Sequence, residues 1–310
     1  MTDAVIRTRG LVKDYGRTRA LAGLDLEVGA GEVFGFLGPN GAGKTTTIRV
    51  LMDLLRPTAG EVEVFGRAPA AGGPAQRARI GYLPGELALA PRATAREQLE
   101  HLAALRGGRG RDRIVGLAER LALDLDRPMR TLSKGNRQKV GVVQAFMHAP
   151  DLLVLDEPTS GLDPLLQREV LDLIREGAAA GATVFMSSHL LHEVESVAER
   201  VAIVREGRVV DVDSVRGLRE RAGQRVSLTF AEAPAWSDFA SIGEVDDLRI
   251  AGHTLTCLLH GSPDALLKAA AGHRVVGWTA RDRDLEDLFM DVYRFGRDGV
   301  NGAKEARDGR

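Results

Sequence analysis

The segment Gly38-Pro39-Asn40-Gly41-Ala42-Gly43-Lys44-Thr45 constrains this chain more than any other. It follows a short apolar run, Val33-Phe34-Gly35-Phe36-Leu37. It leads into Thr45 to Leu55, a stretch of helical character that Arg56-Pro57-Thr58-Ala59-Gly60 closes. A strand, a glycine-rich loop and a helix in that order make a phosphate-binding P-loop. Its glycines let backbone N–H groups turn inward, and the positive end of the helix points at the same charge. Lys44 is spaced to reach β- and γ-phosphates, and the Thr45 hydroxyl can ligate Mg²⁺. Gly38, Asn40, Gly41, Ala42, Gly43, Lys44, Thr45 and Thr46 are therefore the candidate phosphate contacts. The loop alone leaves open kinases, GTPases, helicases and transport ATPases.

The surrounding pattern predicts an α/β domain with a largely parallel sheet over residues 1 to about 217. Leu152-Leu153-Val154-Leu155 and Thr183-Val184-Phe185-Met186 read as buried strands. Between them Pro164 opens a helix with Leu166, Val170, Leu173 and Ile174 on its apolar side. Gly85 to Leu125 is rich in Leu, Ala, Arg and Glu at helical spacing, broken by Gly107-Gly108-Arg109-Gly110. This predicts an inserted helical subdomain over about 86–148. From about 218 to 295 the pattern is that of a small α+β accessory domain. Strands are expected at Arg225–Phe230, His253–Leu258 and Val275–Trp278, and a helix at Pro263–Ala271. A second helix, capped by Asp284, presents Leu285, Leu288, Phe289, Val292 and Tyr293 on one face. Residues 296–310, polar and Gly-rich, read as a disordered tail.

Two further sites carry chemistry. Leu152 to Pro158 ends a buried strand in Asp156 and Glu157, at the edge where open α/β sheets bind ligands. Asp156 suits a Mg²⁺ ligand, and Glu157 a base that orients and deprotonates water. Taken alone, the pair also admits a lesser reading as solvated acids at a strand end, and its company with the P-loop lowers that reading further. Leu132-Ser133-Lys134-Gly135-Asn136-Arg137-Gln138 precedes a helical run through Val140, Val143, Gln144 and Met147. A Ser, a Gly and a helix start make a second anion-binding surface, or simply a helix capped by Ser133.

Bulk properties exclude several classes. The 42 basic residues are balanced by 43 acidic ones, which gives no support for broad nucleic-acid binding. Cys257 is the one cysteine, so an internal disulfide and a cysteine metal cluster are both excluded. No stretch approaches the roughly 20 apolar residues that span a bilayer. Work at a membrane would need a spanning partner.

Taken together, the P-loop, the 132–138 segment, Asp156-Glu157, Ser160-Gly161-Leu162-Asp163 and Ser187-Ser188-His189 resemble the ATP-binding subunit of an ABC transporter. The resemblance covers residues 1 to about 217. It implies a dimer in which ATP lies between one P-loop and the partner's Ser133 and Gly135, with Asp163 at the seam. It also implies that Tyr15 stacks on adenine and that His189 contacts the γ-phosphate. Glu157, His189 and Lys44 become the catalytic candidates, Thr45 and Asp156 the Mg²⁺ ligands, and ATP and Mg²⁺ the bound groups. Gly85 stands where many members of the family carry Gln, with Glu86 after it. Asp284 to Met290 is similar to the closing motif of the drug- and antibiotic-export type.

The partners so implied are an integral membrane permease and a second copy of the chain or a homologous subunit, with no nucleic acid. The place implied is cytoplasmic, peripheral at the inner face of the cell membrane, and the cargo a small hydrophobic compound or drug. The competing class is a soluble ABC-type ATPase acting on DNA or ribosomes. No sustained heptads separate Lys44 from Ser133, and the chain holds one cassette, both of which favour the transporter.

Overall fold

In the computed structural model, residues 4–87, 90 and 92–282 are described. They fall into two compact units, divided between Val212 and Asp213. The expected helix from Asp284 and the expected tail from 296 lie outside the described residues.

The first unit is built on two sheets. Strands β1 (Ala4–Tyr15), β2 (Thr18–Gly29) and β4 (Ala59–Val64) form an antiparallel sheet in the order β2-β1-β4. The second sheet contains β3 (Val33–Leu37), β5 (Ile80–Leu83), β6 (Leu152–Asp156), β7 (Thr183–Ser188), β8 (Arg200–Arg205) and β9 (Arg208–Ser214). Its order is β5-β6-β7-β3-β8-β9, and β5 to β8 run parallel. Every residue of β3, β6 and β7 is buried, as expected for strands covered on both faces. Phe34 stacks on Phe185, and Phe36 tilts against the same ring, so β3 and β7 are locked together by aromatic contact as well as by their ladder.

The antiparallel sheet is absent from the sequence reading, which expects strands alternating with helices. β1 and β2 pair with four register shifts, between Ala4 and Ile6, Thr8 and Leu11, Leu11 and Val12, and Lys13 and Asp14. Each shift breaks the two-residue alternation by which such strands are recognised. The helix after the P-loop, α1, spans Lys44–Leu51 and stops short of Leu55. Asp53 takes a left-handed φ of 59°, which a continuing helix does not allow.

After α2 (Pro69–Ala78) come the expected helices: α3 (Ala95–Leu105), α4 (Ile114–Arg120) and α5 (Lys134–Phe146). Thr94 and Glu97 close α3 with a reciprocal capping box. The break falls at Gly107, Gly108 and Gly110, all with positive φ. α6 (Pro164–Ala179) and α7 (Leu191–Val197) complete the unit, and α6 buries Val170, Leu171, Leu173 and Ile174.

The second unit begins with α8 (Val215–Ala222). Its four-stranded antiparallel sheet has the order β11-β12-β10-β13, from β10 (Gln224–Phe230), β11 (Val245–Ala251), β12 (Thr254–Leu259) and β13 (Val275–Asp282). Val226, Leu228, Phe230, Leu255, Cys257 and Leu259 alternate onto one face and pack with Phe239 and with Leu266 and Ala270 of α9 (Asp264–Ala270). Strand β11 is missing from the sequence reading. Its Asp246 and Asp247 are exposed, so too few apolar positions remain to mark the period. Burial pushes the Cys257 thiol up to about 11, leaving it unreactive.

One buried titratable group sits where α5 meets β5. His148 is 9% exposed, and its Nε2 lies 3.1 Å from the carbonyl oxygen of Ile80. Its Nδ1 is buried without a partner, which suits the neutral ring with the proton on Nε2. Desolvation, then Arg106, Arg109 and Arg113, pull its pKa down to about 4, while the Ile80 carbonyl opposes this. Above the unfolded value of about 6.5 its contribution is complete; as pH falls towards the folded value, the unfolded chain takes up the proton first and stability is lost. Urea unfolding at pH 7 and pH 4 should show wild type losing about 3 kcal/mol more than His148→Gln over that range. Equal losses would contradict a neutral buried His148.

Candidate active site

Three neighbouring strands end at one edge of the parallel sheet. In register, Leu37 of β3 faces Ser188 of β7, and Ser187 of β7 faces Asp156 of β6. The residues that follow, Gly38, Glu157 and His189, therefore emerge side by side on strands about 4.8 Å apart. This is the edge at which ligands bind in open α/β sheets.

At the first strand the chain turns sharply into α1. The Gly38 N–H donates to the Ser188 carbonyl at 3.3 Å, and a Cβ on Gly38 would lie 2.6 Å from the Val204 carbonyl oxygen. Gly43, the residue before α1, has φ 107°, and a Cβ there would come within 2.8 Å of Leu21 and 2.9 Å of the Ala20 carbonyl. Both positions exclude a side chain. No side chain caps α1, whereas Thr94, Ser133, Asp163 and Ser214 cap α3, α5, α6 and α8. The N–H groups at the start of α1 are thus left for a ligand, at the positive end of the helix.

Lys44 reaches back over this loop. Its Nζ donates to the carbonyls of Gly38 at 2.6 Å and Pro39 at 3.2 Å, and lies 3.5 Å from Glu157 Oε1. Burial lowers its pKa, and Glu157 and Asp156 counter that by favouring the charged form. A cavity of about 290 Å³ opens here, lined by Ala20, Pro39, Asn40, Gly41, Gly43, Lys44, Thr45, Thr46 and Glu157. A larger cleft, of about 460 Å³, lies beside Glu32 and Arg200. It has an acidic rim and no helix start, so the smaller cavity is the better anion site despite its size.

The acid pair is held from several sides. Asp156 is 1% exposed, and its Oδ1 accepts a 2.6 Å hydrogen bond from Ser187 Oγ. Its Oδ2 is buried with no hydrogen-bond partner. A Cβ on Gly85 would stand 3.1 Å from that oxygen, so a side chain there would crowd Oδ2. Glu157 takes a left-handed φ of 50°. Its N–H donates to Ser187 Oγ at 3.1 Å and to the Ser187 carbonyl at 3.2 Å, and Gln138 Nε2 donates to the carbonyls of Glu157 and Pro158, each at 3.0 Å. His189 Nδ1 is 3.2 Å from Glu157 Oε1. Burial, then the Asp156 charge, pushes the Tyr82 phenol up to about 12.

Lys44, Glu157 and His189 are thus brought together around one carboxylate oxygen, with Asp156 joined to them through Ser187. Thr45 and Thr46 line the same cavity. Among the described residues no cluster of three or more His, Cys, Asp or Glu could hold a metal alone. A Mg²⁺ bound with nucleotide phosphates needs only one or two protein ligands, and the unpartnered Asp156 Oδ2 fits that requirement.

Eight predicted site residues stand outside that cavity's lining: Gly38, Ala42, Asp156 and His189, which adjoin its residues in the chain or through Glu157, and Tyr15, Ser133, Gly135 and Asp163, which do not. Tyr15 is 44% exposed at the end of β1, with Lys13 Nζ 5.4 Å from its ring centre. Ser133 is exposed and caps α5 by accepting from the Asn136 N–H at 3.3 Å. Gly135 packs so closely on Gly161 that a Cβ would meet its carbonyl oxygen at 2.7 Å. Asp163 caps α6 through the N–H groups of Leu165 and Leu166. The bridging roles of Ser187 and Gln138 are additions by the structure. So is a buried Glu193 that accepts from the hydroxyls of Thr159 and Ser188. The sequence signal for the serines is two polar residues ending an apolar strand, yet both are almost wholly buried.

A family model described as ABC transporter matches residues 21–160. The daunorubicin/doxorubicin resistance ATP-binding protein DrrA of Streptomyces peucetius is 40% identical over 226 residues, covering 71% of this chain and 68% of that protein. A fluoroquinolones export ATP-binding protein of Mycobacterium tuberculosis is 34% identical over 295 residues, 93% of each chain. Among solved structures, an ATP-binding subunit of an ABC transporter matches with a TM-score of 0.65 at 30% identity, over 70% of this chain and 92% of that one. With a P-loop, an acid pair and a histidine converging on one sheet edge, the chain belongs to the ABC transporter family of ATP-binding proteins.

Proposed function

We propose that this chain binds and hydrolyses ATP as the energising subunit of an exporter whose membrane-spanning part is a separate permease. The observation that carries the reading is the Glu157 carboxylate, whose Oε1 lies 3.5 Å from Lys44 Nζ and 3.2 Å from His189 Nδ1 at the mouth of an uncapped helix. When ATP enters, Lys44 exchanges the Gly38 and Pro39 carbonyls for β- and γ-phosphate oxygens. The N–H groups of Gly41 to Thr46 close around the same phosphates. Glu157, released from Lys44, takes the proton of the attacking water, and His189 orients that water and contacts the γ-phosphate. Mg²⁺, held by Thr45 and Asp156, would neutralise charge on the phosphate oxygens.

Tyr15 is exposed, which supports its stacking on adenine. Ser133 and Gly135 lie at a helix start outside the Lys44 cavity, which supports their serving the nucleotide of a second subunit, with Asp163 at the seam. Among the described residues no helix is long and apolar enough to cross a membrane, so the spanning part falls to the permease. This chain would then sit at the inner face of the membrane through that partner. Relatives named for daunorubicin/doxorubicin resistance and fluoroquinolones export support a small hydrophobic compound or drug as cargo.

Glu157→Gln should lower steady-state ATP hydrolysis at least about 100-fold while bound ATP is retained. Turnover near wild type would remove Glu157 as the base. Affinity purification from native membranes with ATP present should recover an integral membrane protein in stoichiometric amount. Recovery of none would overturn the permease.

A further inference from the structure

Ser187 lies between the two acids of the candidate site. It is fully buried at the end of β7, directly across the ladder from Asp156. Its hydroxyl has one proton, and its two contacts fix where that proton goes. The Glu157 N–H can only donate, so Oγ accepts there, at 3.1 Å. The Asp156 carboxylate only accepts, so Oγ donates to Oδ1, at 2.6 Å. One hydroxyl thereby sets the rotation of the Asp156 side chain and helps hold Glu157 in its left-handed conformation. With Oδ1 engaged, Oδ2 is the buried oxygen left without a hydrogen bond, close to Gly85.

We propose that Ser187 is a positioning residue that presents Asp156 Oδ2 to the nucleotide-bound metal and fixes the spacing between metal ligand and base. This rests on the reading of Asp156 as a metal ligand. Hydrogen bonds behind a ligating carboxylate tune metal affinity, and their loss commonly costs 10- to 100-fold. Without the hydroxyl both Asp156 oxygens are unpaired in a buried place, and the carboxylate is free to turn away. Glu157 is less affected, because its N–H keeps the Ser187 carbonyl at 3.2 Å, which any residue at 187 supplies. Ser187 thus acts on metal affinity more than on the base.

The test is Mn²⁺ binding, read by electron paramagnetic resonance, to the full chain loaded with a non-hydrolysable ATP analogue. Analogue affinity in EDTA is measured in parallel. Ser187→Ala should weaken Mn²⁺ about tenfold and leave affinity in EDTA unchanged. Ser187→Cys, close in volume but a weak donor, should weaken it in the same direction, and Ser187→Thr should restore it. Excess metal should recover most of the ATPase turnover of Ser187→Ala, which a general loss of structure would not allow. Wild-type Mn²⁺ affinity in both Ser187→Ala and Ser187→Cys overturns the proposal, as does an equal loss of analogue binding in EDTA. Asp156→Asn separates the two levels of the argument. If it loses Mn²⁺ while the Ser187 variants do not, the role of Ser187 fails alone. If it binds Mn²⁺ as wild type does, the metal-ligand reading of Asp156 fails and takes the role of Ser187 with it.

Discussion

Lys44 is 5% exposed, and a charge so enclosed must be met by partners or be lost. Much of the site follows from that one requirement. The Gly38 and Pro39 carbonyls and the Glu157 carboxylate surround it, and they come from two different strands. They converge because β3, β7 and β6 are parallel neighbours in fixed register. The register in turn needs strands buried on both faces, including the Phe34, Phe36 and Phe185 cluster. Packing in the core thereby decides which charged groups meet at the edge. Each partner of Lys44 is weaker than a phosphate, so the arrangement holds the lysine in place and yields to nucleotide.

Helix starts divide the site's work. Those of α5 and α6 are satisfied internally by Ser133 and Asp163, while α1 has no side-chain cap. Of these three starts, α1 alone leaves its N–H groups uncapped by a side chain, at the positive end of the helix where the P-loop can use them. The second surface, at Ser133 and Gly135, is connected to the first through Gln138, which leaves α5 to hold the carbonyls of Glu157 and Pro158. A displacement of α5 would move the backbone of the proposed base. On the proposed role of Ser133 and Gly135, this is a physical route from a nucleotide held there to hydrolysis at the first surface.

The parts legible in the sequence are those encoded by adjacent residues. The strand, loop and helix around Lys44 are continuous in the chain, and so are the four apolar residues before Asp156 and Glu157. Ser133 and Asp163 are both helix caps, a local role that their residue types suggest. The illegible parts depend on partners far along the chain. Ser187 meets Asp156 only because β6 and β7 pair in one register, and nothing in Phe-Met-Ser-Ser-His reports that register. The early antiparallel sheet is hidden by repeated register shifts, and α1 ends early because Asp53 turns left-handed. Gly85 is visible as a missing Gln, but its nearness to the unpaired Asp156 oxygen is a fact of folding.

The most direct measurement is a structure of Glu157→Gln with ATP and Mg²⁺ bound. The account predicts that Lys44 Nζ leaves the Gly38 and Pro39 carbonyls for a phosphate oxygen, with the metal reached from Thr45 and Asp156 Oδ2. A nucleotide bound away from this loop, with Lys44 still donating to Gly38, would contradict it.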